Sequence, residues 1–136
     1  MSINAYKRTL REIESPRQIE RRILASITGR LEEFADRYDE AGSSFERITV
    51  LASGLRKALT ENQKFWQTLK YDLSEPGNAL TPELRAGLLS LAIWVEKTTS
   101  SVFGGDAGVR ALINVNANIV TALGHQPEPM PLMKSA

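Results

Sequence analysis

The chain has 136 residues, with 17 Lys and Arg against 16 Asp and Glu and no cysteine. That length suits one domain able to bury its own core, and the missing cysteine excludes structural disulfides and thiolate metal sites, a usage that fits a reducing cytoplasm. A net charge of +1 gives no global pull toward nucleic acid.

In chain order, Met1 to Tyr6 offers no apolar run or cleavage signal of a secretory leader, and no stretch has the length and apolarity of a membrane span. Membrane insertion is therefore not expected. Basic residues gather up to Arg30, namely Lys7, Arg8, Arg11, Arg17, Arg21, Arg22 and Arg30, against Glu12, Glu14 and Glu20. A short amphipathic helix is predicted over Ile3 to Ile13, with Tyr6, Leu10 and Ile13 on one side. Ser15 caps the next helix, Pro16 takes its first position and Gln18 completes a capping-box pattern. Ile19, Ile23, Ile27, Leu31, Phe34 and Tyr38 form its apolar stripe.

Asp39 to Ser44 reads as a loop. Ser43 and Glu46 form a second capping box and open a helix predicted to run unbroken to about Asp72. Its stripe is Ile48, Ala52, Leu55, Leu59, Trp66 and Leu69, with Asn62 inside it. After the turn residues Ser74 to Asn78, Thr81 caps a helix with Pro82 at its first position and Glu83 on the favourable end of the dipole. Leu84, Leu88, Leu91, Val95 and Val102 share one face of this helix, and Leu89 and Ile93 supply a second. A helix apolar on two sides is expected to be buried against several neighbours. The other helices are therefore expected to pack around Leu84 to Val95, with Leu88→Ala or Leu91→Ala costing about 2–5 kcal/mol. Phe103 to Asp106 breaks the helix, and a last one is predicted from Asp106 or Ala107 to Leu123, with Gly124 as its stop. Val109, Leu112, Ile113, Ile119, Val120 and Leu123 make its apolar face, with Asn116 in the middle. The prolines from Pro127 on cannot continue a helix. The expected fold is thus all-α: a single-domain bundle of four main helices plus a short N-terminal one over residues 1–124, then a flexible Pro-rich tail over 125–136.

Reactive chemistry is scarce. The single histidine, His125, lies in the proline tail, where a catalytic histidine would lack the fixed partner it needs. Gly104-Gly105-Asp106-Ala107-Gly108 lacks the Lys-Ser/Thr continuation of a phosphate loop and reads as a turn. Glu32-Glu33 and Asp39-Glu40 are adjacent pairs that do not face each other on a helix. No catalytic residue, metal site, cofactor or enzymatic activity is expected. Acidic residues interrupt the basic N-terminal half, and no aromatic-basic interleaving is present, so direct RNA contact is not expected. Asn62 and Asn116, set in apolar stripes, are expected to be buried and hydrogen-bonded within the protein, the alternative being that one or both line a groove and meet a partner's backbone. Trp66 lies in a stripe and reads as core; Trp94 lies off the main stripe of its helix and reads as an interface residue.

One ordered set of residues carries a resemblance. It runs Ala5-Tyr6, Glu14 to Glu20 and Ile23-Leu24; then Leu59, Asn62, Trp66 and Asp72-Leu73; then Asn78 to Leu80, Leu84-Arg85 and Leu91 to Val95; then Leu112 to Asn116 and Leu123. In this order they resemble the FlaF family of bacterial flagellar biosynthesis regulators, over most of the chain up to Gly124. The resemblance implies a cytoplasmic regulator that promotes flagellin production after transcription, acts with the companion regulator FlbT and binds flagellin like a secretion chaperone. A translational regulator that binds flagellin messenger RNA is the alternative. Flagellin-like subunits carry amphipathic terminal helices, so the expected contact is a helix in an apolar groove with a polar rim. The residues expected to form it are Trp94, Tyr71, Asn78 and Arg85, with Tyr6 and Arg17 if the N-terminal helix makes one wall.

Overall fold

The computed structural model of the protein describes residues 16–125. The helix expected over Ile3 to Ile13, the cap Ser15 and the tail from 126 onward lie outside the described residues. The fold is all-α: α1 Pro16–Asp39, α2 Ser44–Val50, α3 Arg56–Ser74, α4 Pro82–Phe103 and α5 Val109–His125. A wide turn, Leu51–Leu55, joins α2 to α3. If α2 and α3 are taken as one bent rod, four main helices result, as the periodicity indicated. No strand occurs among the described residues.

α1 is the hub. It lies along α5 on one side and along α3 and α2 on the other. Leu24, Ile27, Leu31, Ala35 and Tyr38, spaced three and four apart, are its buried seam. The expected stripe was turned toward one flank: Ile23 is 45% exposed and Phe34 half-buried, whereas Leu24 and Ala35 are fully inside. Two neighbours press on this helix from different sides, so its buried line falls between two apolar flanks.

A polar junction locks the far end of α1 to the α4–α5 loop. The Asp39 carboxylate accepts from the backbone N–H groups of Gly108 and Val109 at 3.0 Å and of Arg110 at 2.8 Å. This side chain from another helix caps the N-terminus of α5, and its charge complements the dipole there. α5 therefore starts at Val109, later than its own sequence suggested, because Gly108, at φ 151°, turns the chain into Asp39. The Tyr38 hydroxyl lies 2.5 Å from the Val102 carbonyl and 2.8 Å from that of Asp106, and donates between them. Burial, above all, pushes this phenol above its ordinary value of 10.0; Arg47 opposes the shift, and Asp39 and Asp106 add to it. The Arg47 guanidinium donates to the carbonyls of Tyr38, Ala41 and Gly105 at 3.3 Å each.

The helix expected to run unbroken from Ser43 to Asp72 is bent at Gly54, where φ is 141°. A Cβ there would stand 2.9 Å from the Phe34 ring. Glycine gives both the backbone conformation and the room for that ring. Its cap is as expected at Ser43, whose hydroxyl accepts from the Glu46 N–H at 3.2 Å, but the Glu46 carboxylate reaches back to the Gly42 N–H at 2.8 Å instead of that of Ser43.

α4 departs most from expectation. It has its Thr81 cap and Pro82, but it is a flanking helix and not the centre. It packs mainly along α3 and meets α5 much less. Only Ala92, Val95, Thr99 and Val102 are buried; Leu88, Leu89 and Leu91 are half-buried, and Leu84 and Ile93 are exposed. Two apolar faces signalled apolar surface, not two neighbours to cover it. Leu88→Ala should accordingly cost only about 1–2 kcal/mol, below the range for a fully buried leucine. At the other end of the chain, α5 runs one turn's fraction past Gly124 to His125.

Asp39→Ala should lower unfolding free energy by about 1–2 kcal/mol, measured by urea denaturation, with Asp39→Asn keeping part of the loss. Gly54→Ala should cost about 1–3 kcal/mol in the same assay. A neutral result would mean that the bend and Phe34 relax freely.

Candidate interaction groove

Two features of α3 concern function. The first is a buried chain of amides. Trp66 Nε1 donates to Asn116 Oδ1 at 3.0 Å, and Asn116 Nδ2 donates to Asn62 Oδ1 at 2.8 Å. Asn62 and Asn116 both have zero exposure, and Trp66 is almost fully covered. The donor-acceptor order fixes both amide orientations, because indole can only donate. It leaves Asn62 Nδ2 without an acceptor among the described residues. The chain fixes the register of α3 against α5, so these polar groups serve the core and not a surface.

The second is a groove of about 450 Å³ between α1 and α3. α1 contributes Glu20, Ile23, Ile27 and Arg30; α3 contributes Glu61, Phe65, Leu69 and Asp72, with Lys64 and Thr68 along its edge. Ile23, Ile27, Phe65 and Leu69 make an apolar floor, and charged residues make the rim. Glu20 pairs in position with Asp72 and Arg30 with Glu61, so the two helices run antiparallel. Arg30 bridges to Glu61 across one end. At the other end the Glu20 carboxyl is held above its ordinary value of 4.5, first by burial and then by Asp72, with Arg17 partly offsetting.

Of the described residues expected from sequence to bind a partner, Trp94, Tyr71, Asn78 and Arg85 stand apart from this groove, and Arg17 lies beside it. Trp94 is 38% exposed on α4. Tyr71 is 67% exposed on the outer side of α3, beside Lys64, Gln67 and Thr68. Lys70 and Glu96 bridge α3 to α4 at 3.0 Å. Trp94, two residues before Glu96 and thus ~160° around the helix, faces away from that seam. The structure does not bring Tyr71 and Trp94 together. Asn78 is committed to the α3–α4 loop: its Nδ2 donates to the Asp72 carbonyl at 3.1 Å and its Oδ1 accepts from the Leu80 N–H at 3.0 Å. That is a turn-building role. Arg85 is half-buried on α4. Arg17 is half-buried one turn before Glu20, at the mouth of the groove. Tyr6 lies outside the described residues. Sequence reasoning missed the groove because it placed Ile23, which is 45% exposed, in the same apolar stripe as the buried Ile27. The available signal was the width of the α1 stripe, which runs from Ile23 round to Ala35 and exceeds what one neighbour covers.

Among the described residues no group of three or more His, Cys, Asp or Glu is arranged to hold a metal ion, and no helix is long and apolar enough to cross a membrane. What the arrangement offers is an open, apolar-floored cleft between two helices of an all-helical protein. The chain belongs to the flagellar protein FlaF family, whose model matches residues 2–123. It is therefore a flagellum-related protein. No curated protein and no solved structure matches it.

Asn116→Leu should cost about 2–4 kcal/mol, because it strands both Trp66 Nε1 and the Asn62 amide in the core. Asn62→Leu should cost less, since it removes an unsatisfied donor along with an acceptor; equal losses in thermal denaturation would contradict this order. For Glu20, the raised folded-state value means that its contribution is present below 4.5 and lost as pH rises through that raised value. Glu20→Gln should therefore raise Tm at neutral pH, and the difference should vanish below pH 4.5.

Proposed function

We propose that this protein is a cytoplasmic regulator of flagellar biosynthesis that binds flagellin like a secretion chaperone and promotes its post-transcriptional production and export, in concert with FlbT. Membership of the family supports the flagellar setting. The observation that carries the binding reading is the groove between α1 and α3, with Ile23, Ile27, Phe65 and Leu69 below a charged rim. An aggregation-prone export subunit needs its apolar helix faces covered before assembly, and a cleft between two rigid helices can cover one. Apolar centre and polar rim are the usual anatomy of such a contact.

The test is a calorimetric titration of purified flagellin into the folded protein. Wild type should bind. Ile23→Asp, at a half-exposed floor position, should weaken binding at least about tenfold by placing an unpaired charge under the incoming helix. Trp94→Ala should leave it unchanged. No binding by wild type refutes the proposal; loss in Trp94→Ala with none in Ile23→Asp moves the site to α4.

A further inference from the structure

The two ends of the α1–α3 groove differ in charge. At one end Arg30 and Glu61 satisfy each other across the gap. At the other, Glu20 of α1 and Asp72 of α3 present two carboxylates to the same opening. Asp72 disfavours the charge on Glu20. Arg17, one turn before Glu20, favours that carboxylate from its own helix, yet the balance at Glu20 still runs against ionisation. A cation placed between the two acids would reverse that balance. It would gain attraction from both in a partly desolvated site, where Coulomb interaction is stronger than in bulk water.

Length and floor define what could deliver the cation. Glu20 to Arg30 spans ten residues of helix, ~15 Å at the helical rise, and Glu61 to Asp72 spans a similar distance. Three turns of a partner helix fit between the Arg30–Glu61 bridge and the acid end. The floor is apolar throughout, so the partner must present residues at i, i+3/i+4 and i+7 as one apolar stripe. An acidic mouth disfavours nucleic acid.

We propose that the groove selects an amphipathic helix that carries a lysine or arginine about one turn beyond its apolar stripe, with that cation seated between Glu20 and Asp72. This rests on reading the groove as the partner site of the protein. Charge then decides which of several amphipathic helices is accepted and in which direction it lies, because reversing the helix would set its cation against the occupied Arg30–Glu61 bridge.

Two labelled helical peptides of fifteen residues with the same leucine stripe, one ending in Lys and one in Gln, test this by fluorescence anisotropy with the full-length protein. The Lys peptide should bind wild type about three- to tenfold more tightly at low salt, and added salt should narrow the gap. The Glu20→Gln/Asp72→Asn double variant should fold normally, having lost a like-charge pair, and bind both peptides equally. Ile23→Ser should weaken both peptides alike. Equal affinities for wild type, a preference that survives in the double variant, an Ile23→Ser variant that binds as well as wild type, or failure of wild type to bind either peptide overturns the proposal. A parallel flagellin titration separates this from the parent reading. Flagellin bound without a Lys preference removes the charge rule alone; a Lys preference without flagellin binding supports the charge rule and removes flagellin as the partner.

Discussion

The carboxylate of Asp39 is the constraint on which the arrangement depends. Three backbone N–H groups at the start of α5 converge on it, and without it those donors would have to find water at a crowded chain reversal. Because Asp39 is the last residue of α1, the contact sets where α5 begins and that it runs back along α1. Tyr38, one residue earlier, holds the end of α4 through the Val102 carbonyl. Arg47 then ties α2 to the same loop through Gly105. One corner of the molecule thus fixes the relative positions of four helices by hydrogen bonds between side chains and backbone groups.

From that corner the helices diverge under different restraints. α3 is aimed by the bend at Gly54, where the Phe34 ring takes the place of a side chain. It is then held against α5 by the Trp66–Asn116–Asn62 chain. A polar core link of this kind adds little net stability but penalises any shift in register, because slipping one turn leaves two amides and an indole unpaired. The result holds α3 at a fixed distance from α1 along the side where the groove lies. The groove therefore follows from how α3 is held on its other face.

How much of this was legible in the sequence follows the range of the forces involved. Helix class and approximate spans were readable, because Ser43, Thr81 and Pro82 act on their own first turns and apolar periodicity acts within one helix. Asn62 and Asn116 stand out as amides inside apolar stripes, though nothing local says that they meet each other and Trp66. The bend at Gly54 depends on Phe34, twenty residues earlier, and an isolated glycine in a helical pattern does not announce one. The cap of α5 comes from Asp39, far away in sequence. The placing of α4 failed for a related reason. Its leucines report how much apolar surface it carries, whereas the centre of a bundle is the helix with the most neighbours. That helix is α1, whose stripe is interrupted by arginines and glutamates. The groove was missed on the same ground: Ile23 and Leu69 look like core until the distance between their helices is known.

The apolar surface exposed among the described residues is itself informative. Scattered exposed hydrophobic side chains are ordinary and need no explanation, and Phe45 or Ile93, each pointing outward from a single helix, belong to that category. Ile23 is different because it shares a concave wall with Phe65 and Leu69 and is framed by charges of both signs. A stability argument alone would favour closing that gap, or replacing Glu20, whose carboxylate is disfavoured where it stands. Keeping a half-buried acid beside Asp72, above an apolar floor, is unfavourable when that acid is ionised. In the proposed complex a cation-bearing apolar surface would make it favourable, because the same desolvation that penalises the bare carboxylate strengthens its attraction to an opposite charge. In that complex, apolar area and an acidic end would be met together by one helix.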